Sequence, residues 1–401
     1  MGQHTMELGL YRIKRLTDAM RASSVQVIIA TLPENVFYLT NGFITMAMDS
    51  LLNSDCYVVY NAATKKMVYV VSYADLPTVM EFTGPTAEIF CYGSFRFSSY
   101  NESFPHTRVF KRLAKESTEN AADALLQAIL SCNGKGNILG FDSSKIEISV
   151  FNEVVSRLSK STRIVEGAKI FLEARRIKHP IEIGLIQEAT KVTEKSMHAA
   201  LQQFTVGMTE KDLQYLFEKN LAIAGASKLF CVASANMRSA YADTVNTDLP
   251  IRENSILRLD FGCRYKGYSS DLARTVFIGS PNNRVVEMYE ALCFGTDAGI
   301  KALKPGVPVN KIFDIVVQTI KDNGIHQYRR HHVGHGIGLE AYDLPTISSS
   351  DTTIIDNNMT FCIEAPYYEL GWGGLQIEHT VAVIDGCASY LDSKESQLIL
   401  L

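Results

Sequence analysis

The sequence predicts an α+β protein in two domains, a smaller N-terminal α/β domain over residues 1–160 and a larger C-terminal domain over residues 161–401. Three observations lead there. The chain has 401 residues, more than one hydrophobic core usually spans. Its first part alternates helical and strand periodicity, as a mixed α/β sheet requires. Apart from four long helices, the rest reads largely as strands and tight turns that carry glycine and carboxylates.

The elements follow in chain order. Leu8 to Ser23 has the spacing of an amphipathic helix, and Val25 to Ala30 is a short apolar run expected as a buried strand. Cys56 to Tyr60 and Met67 to Ser72 read as a strand pair around the turn Asn61-Ala62-Ala63-Thr64. Tyr92 to Tyr100 crowds glycine and aromatic residues, which suits an exposed connecting loop or a cap over a neighbour's site. Asn120 to Ile129 is a second helix, Asn137 to Phe141 a strand and Val150 to Leu158 a further helix, closing the first domain near residue 160. Pro180 to Ala200 and Thr209 to Ala224 are long helices; Asn282 to Ala302 and Val309 to Asn323 separate two strand-rich halves. Each half has an apolar run ending in a carboxylate, a glycine turn, a second carboxylate and a Thr-Val strand, a loose internal echo.

Composition removes several function classes. With 46% apolar and 20% charged residues the chain is an ordinary globular protein. A net charge of -4 and no basic stripe with interleaved aromatics argue against nucleic acid as a partner. No apolar run of spanning length and no signal-like N-terminus argue against a membrane. The eight cysteines are scattered without a C-x-x-C pair, which suits reduced core thiols in a cytoplasm and offers no credible ligand or nucleophile.

The chemistry concentrates in five residues, Asp260, Asp271, His335, Glu364 and Glu378. Singly, each has an ordinary reading: Asp260 before a glycine as a turn residue, Asp271 after two serines as a capping aspartate, His335 between glycines as a satisfied histidine. Glu364 and Glu378 resist it. Their apolar neighbours, Phe361-Cys362-Ile363 and Leu375-Gln376-Ile377, imply buried carboxylates, which are expensive unless paired or metal-bound. Four carboxylates and one imidazole can neutralise and bridge two divalent cations, the arrangement that activates water near neutral pH. The chain is therefore read as a dinuclear metallohydrolase.

The ordered set D-(x10)-D, GHGxG, an apolar-IE strand and a G-x-x-IE strand resembles the pita-bread (M24-type) metallopeptidases, which include methionine aminopeptidase, aminopeptidase P, prolidase and creatinase. Upstream, Leu172 to Glu182 is similar to the family's "R-x-I-K-x-x-x-E" helix, Gly207 to Leu213 to its "G-x-T-E-x-x-L" loop, and Pro33 to Gly42 to the "P-x-N-x-x-Y-L-T-G" stretch of the creatinase-type N-terminal domain, with Asn41 as an extra residue. Nearly the whole chain is covered, in the two-domain form of aminopeptidase P, prolidase and creatinase. The resemblance implies a C-terminal pita-bread fold, and a homodimer. It also implies that Asp260 holds one metal, that Asp271 and Glu378 bridge two, and that His335 and Glu364 complete the second. Glu364 would also shuttle a proton. A carboxylate-rich donor set favours Mn²⁺, with Co²⁺, Fe²⁺ or Zn²⁺ as alternatives.

The chain also departs from the peptidases. Where they place a histidine before the first aspartate it has Asp243, and where aminopeptidase P and prolidase place one after the metal histidine it has Tyr342. Gln376 stands where arginine is expected, and His379 follows Glu378 where aspartate is commoner. His331 and Tyr368 are retained and are expected at the substrate, His331 also in catalysis, though His331 and His332 can equally be read as loop histidines. Three activities are consistent with these residues: an Xaa-Pro peptidase on small peptides, a specialised small-molecule amidohydrolase or related lyase, and a non-catalytic binding member.

Overall fold

The structure, a computed structural model, describes residues 3–43, 45, 55–84, 86–98, 107–133 and 137–401. The chain divides into two compact units, Met1–Arg175 and Arg176–Leu401.

The first unit is built from helix α1 (Gln3–Ala22), strand β1 (Val27–Ala30), α2 (Pro33–Thr40), β2 (Tyr57–Asn61), β3 (Lys66–Ser72), α3 (Leu76–Thr83), β4 (Glu88–Tyr92), α4 (Thr107–Glu116), α5 (Ala121–Ser131), β5 (Ile138–Phe141), α6 (Ile148–Arg157), β6 (Arg163–Glu166) and α7 (Ala168–Arg176). Among the described residues these strands form a sheet in the order β4-β3-β2-β1-β5-β6. The β1-β2-β3 pairs are antiparallel and the rest parallel. Val27, Ile29, Val59 and Val68 of one face pack with Ala121, Leu125 and Ile129 of α5. Ile28 and Val58, pointing the other way, are also buried, which is why these strands read as unbroken apolar runs. Asn120 caps α5 by accepting from the Asp123 amide (2.8 Å).

Pro33–Thr40, to which the sequence assigns no secondary structure, is helix α2, with Pro33 in its first turn; the extra residue Asn41 supplies the left-handed C-cap (φ 62°). One stretch differs from the sequence expectation. Leu172 to Glu182 is not one helix. α7 stops at Arg176 and α8 (Pro180–Gln203) begins afresh, because Pro180 disfavours helical backbone at His179, which caps the new helix with Glu182 in a capping box. In the aromatic loop, Phe97 lies against Tyr73 and Phe110 of its own unit; Ser99 and Tyr100 lie outside the described residues.

In the second unit α8 is followed by α9 (Glu210–Ile223), β7 (Ser227–Ala235), β8 (Ser255–Tyr265), β9 (Tyr268–Ser269) and β10 (Leu272–Ile278). After α10 (Asn283–Ala302) and α11 (Val309–Asp322) come β11 (Gly334–Gly336), β12 (Asp343–Thr346), β13 (Thr360–Glu364), β14 (Tyr367–Glu369), β15 (Gly373–Leu375), β16 (Glu378–Ile384), β17 (Cys387–Tyr390) and β18 (Ile399–Leu400). One sheet runs β18-β10-β8-β7 with β9 beside β8, the other β12-β11-β13-β16-β17, and β14-β15 form a hairpin. The halves repeat one plan, a sheet with a helix pair on its apolar face.

Strand parity explains that plan. On β8, Leu257, Leu259, Phe261 and Cys263 face α8 and α9 in one core, so Arg258 and Asp260 face the other way. On β13 and β16, Phe361, Ile363, Val381 and Val383 pack with α10 and α11, so Cys362, Glu364, Glu378 and Thr380 take the opposite face. The two polar faces meet: Thr275 of β10 exchanges hydrogen bonds with the Gln376 backbone (2.8 and 3.0 Å), and Thr380 donates to the Asp271 carbonyl (2.8 Å); Arg274, from the other face of β10, also donates to the Glu378 carbonyl (2.5 Å). Among the described residues no helix is long and apolar enough to cross a membrane.

Candidate metal centre

All five expected ligands arrive on this shared polar face from different strands. Asp260 sits mid-β8, Asp271 in the β9–β10 connection, His335 in β11, Glu364 at the end of β13 and Glu378 at the start of β16. Ladder register brings the second set together, since His335 pairs with Cys362, and Glu364 with Glu378. Asp260, Asp271, Glu364 and Glu378 line one cavity of about 800 Å³. Donor atoms of Asp271, His335, Cys362 and Glu378 all lie within 4.8 Å of one another.

The histidine is oriented for ligation. His335 Nδ1 lies 3.0 Å from the Gly336 carbonyl, which requires a proton there. That leaves the lone pair on Nε2, 3.7 Å from Asp271 Oδ2 and 4.0 Å from Glu378 Oε1. Burial lowers the imidazole below its ordinary range, so it stands neutral among the carboxylates.

Electrostatically the carboxylates are too crowded to coexist as free anions. Burial, reinforced by the neighbouring carboxylates, pushes Asp271 and Glu378 well above the usual range. Asp260 is pushed up to about 6 by burial, with Arg258 opposing and Glu364 adding. Glu364 is the exception: burial would raise it, but His332, Arg330 and His335 hold it below its ordinary value. Asp271 Oδ1 is buried with no hydrogen-bond partner among the described residues. A buried carboxylate oxygen left without a donor in a nest of like charges is what a divalent cation satisfies, so the donor set fits such ions.

The remaining expected residues fall in three places. Asp243 and Tyr342 line the cavity with the carboxylates; Asp243 is exposed, and Tyr342, though 63% exposed, stacks on His335 (ring centroids 3.9 Å apart, 26°). Gln376 is buried and donates to Asp260 Oδ2 (3.1 Å). Two guanidiniums lie over the Tyr368 ring, Arg258 at 5.2 Å and Arg330 at 5.4 Å from its centroid. His331 is exposed and meets His332 edge to face, while His332 Nδ1 comes within 2.9 Å of Glu364 Oε1, without hydrogen-bond alignment. His332 is thus the histidine that touches the ligand set.

Two residues beside the ligands escaped the sequence reading. Cys362 was expected as a plain core thiol, yet its sulfur is in the donor cluster. Arg258 is fully buried and 3.4 Å from Asp260. Both carried a usable signal: each stands two residues before a ligand in a strand, and period two puts such residues on one face.

Comparison with known proteins agrees with this geometry. Residues 184–385 match the sequence profile of Metallopeptidase family M24, and residues 12–177 that of the Creatinase/Prolidase N-terminal domain. The chain is similar to the Xaa-Pro dipeptidase of Pyrococcus horikoshii, 30% identical over 265 residues that cover 65% of this chain and 76% of that protein. Among solved structures it is similar to a recombinant prolidase from Thermococcus sibiricus, with a TM-score of 0.83 at 20% identity over 97% of this chain and 98% of that one. A dipeptidase from Pyrococcus horikoshii OT3 gives a TM-score of 0.81 at 20% identity, covering 97% and 100%. These structural likenesses speak to the fold, which is the two-domain pita-bread fold.

Proposed function

This chain belongs to metallopeptidase family M24 and carries a creatinase/prolidase N-terminal domain, and from that premise we propose that it is a metal-dependent peptidase that cleaves Xaa-Pro bonds in small peptides. The observation that supports this most is the convergence of Asp260, Asp271, Glu364 and Glu378 in one cavity with His335 beside them and a buried Asp271 oxygen left without a donor. Asp260 would hold one ion, Asp271 and Glu378 both, and His335 with Glu364 the second. A donor set rich in carboxylate favours Mn²⁺, with Co²⁺, Fe²⁺ or Zn²⁺ as alternatives. When bound, the ions supply an activated water and polarise the scissile carbonyl.

The chain's own residues do the rest. Glu364, kept ionised by His332 and Arg330, accepts a proton at Oε1 and returns it to the leaving nitrogen. Tyr342, stacked on His335, is a donor at the cavity wall, since a phenol keeps its proton at neutral pH. Asp243 faces the same cavity as an acceptor, suited to a substrate ammonium or amide N–H. Gln376 lines the same cavity and accepts from Arg258, whose guanidinium lies over the Tyr368 ring, while His331 is exposed beside His332.

A second reading is favoured by Asp243 and Tyr342 themselves. An acceptor and a phenol in place of two imidazoles suit a specialised amide substrate with a free amine better than a generic dipeptide. One panel decides between them: protein loaded with Mn²⁺ and the same protein after chelation, tried on Xaa-Pro dipeptides, longer Xaa-Pro peptides and non-peptide amides. Metal-dependent cleavage of Xaa-Pro dipeptides supports the first reading; cleavage confined to non-peptide amides replaces it with the second. No metal-dependent cleavage at all leaves the binding member, against which the crowded carboxylates argue. The eight unpaired thiols suit a reducing cytoplasm. We also infer a homodimer, to be checked by light scattering against the 44.5 kDa chain mass.

A further inference from the structure

We propose that Arg258 is a positioning residue that fixes two carboxylates of the cavity at once, Asp260 on the metal side and Asp243 on the substrate side. The inference rests on the metal reading above for Asp260 and on hydrogen bonding alone for Asp243.

A guanidinium has five N–H donors in a rigid fork. In Arg258 each has a taker. Nε donates to the Ser239 carbonyl (3.0 Å), and Nη2 to the Tyr241 and Ala242 carbonyls (2.7 Å each). Nη1 donates to Gln376 Oε1 (2.8 Å) and reaches Asp260 Oδ2 at 3.4 Å. Gln376 closes the triangle by donating its amide to that same Asp260 oxygen (3.1 Å). The side chain is fully buried, so its own donors are cut off from water, where an unmet donor is costly.

The two ends of the fork have different consequences. Nη1 and Gln376 between them set one Asp260 oxygen and leave the carboxylate's orientation little freedom. Nε and Nη2 hold three carbonyls of the segment running into Asp243, whose own side chain lines the cavity. The same segment is gripped from the far side, because Ser239 Oγ accepts from the Gly374 amide (2.7 Å) and Gly374 comes so close to the Ser239 carbonyl that a Cβ would collide with it. A lysine cannot reproduce this: three donors on one point charge cannot serve carbonyls on one side and the Gln376–Asp260 pair on the other.

Charge placement gives a sharper consequence. The cation sits at position 258 on β8 and its neutral hydrogen-bond partner at 376 in the β15–β16 connection, both within reach of Asp260. Exchanging them, R258Q with Q376R, returns a guanidinium to the Asp260 side while leaving the 239–242 carbonyls without one.

The test compares wild type, R258K, R258Q and R258Q/Q376R by two readouts. The first is Mn²⁺ affinity by calorimetry, the second amide hydrogen exchange over residues 239–245 in metal-free protein. R258K and R258Q should remain folded, weaken Mn²⁺ binding by about tenfold or more, the usual scale for losing a residue that orients a metal ligand, and speed exchange over 239–245. R258Q/Q376R should regain most of the Mn²⁺ affinity while exchange stays fast. An R258K protein with wild-type affinity and wild-type protection overturns the proposal, and so does a double variant no better than R258Q. If R258Q does not fold, R258K and the double variant decide. If wild type itself binds no Mn²⁺, the metal reading and the Asp260 half fail together, and the exchange data still decide the Asp243 half.

Discussion

At the scale of single residues, the site is a problem in how to keep four carboxylates apart in charge while holding them together in space. Glu364 is the one held below its ordinary range, by His332, Arg330 and His335 against burial, so it stands as a carboxylate base. Glu364→Gln keeps shape and removes the proton carrier. Turnover should fall by roughly two orders of magnitude or more, the scale of lost general acid–base catalysis, with the fold intact by circular dichroism; near-normal turnover would refute the role. Cys362 presents a second question, because a thiol within 4.8 Å of the other donors is a soft ligand in a hard set. Burial raises it far above a normal thiol, and Glu378 and Asp271 raise it further; bound cations would cancel the carboxylate part. Cys362→Thr should therefore shift competition between Zn²⁺ and Mn²⁺ toward Mn²⁺. An unchanged Zn²⁺-to-Mn²⁺ ratio would make the sulfur mere packing. The five proposed ligand positions stood out in the sequence because each lies in a short local motif. Whether His331 or His332 turns inward was not legible, since adjacent residues of a loop differ only by backbone torsions that the motif does not fix.

At the scale of elements, the sequence carried most of the helices because their ends are chemically marked. Asn120, Thr209 and Asn282 all cap helices as their positions suggest. The helix Pro33–Thr40 was hidden inside a short motif with no clear amphipathic period, and β7 (Ser227–Ala235) is only half buried, so its apolar alternation is weak. The helix start at Pro180 is read from the sequence; the family motif that spans it implies one helix, and the proline divides it. Among the site strands, β11 is the most constrained. Gly334 has φ +147°, and an added Cβ would run into the Cys362 carbonyl of β13. Gly334→Ala should push β11 off β13, carrying His335 from its place beside Asp271, at a cost on the order of 1–3 kcal/mol of local strain or more. The expected result is a folded protein with lower Tm and a lost or weakened metal site, read by melting and elemental analysis. Retention of full metal content would show that β11 does not need glycine there.

At the scale of the whole molecule, the crowded carboxylates tie folding to metal and pH. In metal-free protein Asp260 is raised to about 6, and Asp271 and Glu378 are raised as well, chiefly by burial. An unfolded aspartate titrates near 3.9, so between about pH 4 and pH 6 the folded state keeps a proton at Asp260 that the unfolded state gives up. The sign follows: the unfolded form binds fewer protons, and these groups make the metal-free protein less stable as pH rises through that window. A divalent ion reverses the balance. It binds the deprotonated carboxylates, displaces their protons and binds the folded state alone, so its stabilisation is small at low pH and grows as pH climbs past about 6. Melting curves with Mn²⁺ and with chelator should lie close together at pH 5 and separate at pH 7.5, and calorimetry at pH 6 in buffers of different ionisation enthalpy should register proton release on Mn²⁺ uptake. The comparison isolates the centre, because surface groups contribute equally with and without metal. Curves separated by the same interval at both pH values, with no buffer dependence of the binding heat, would mean that the carboxylates are already ionised in the metal-free fold and that something other than a cation compensates them.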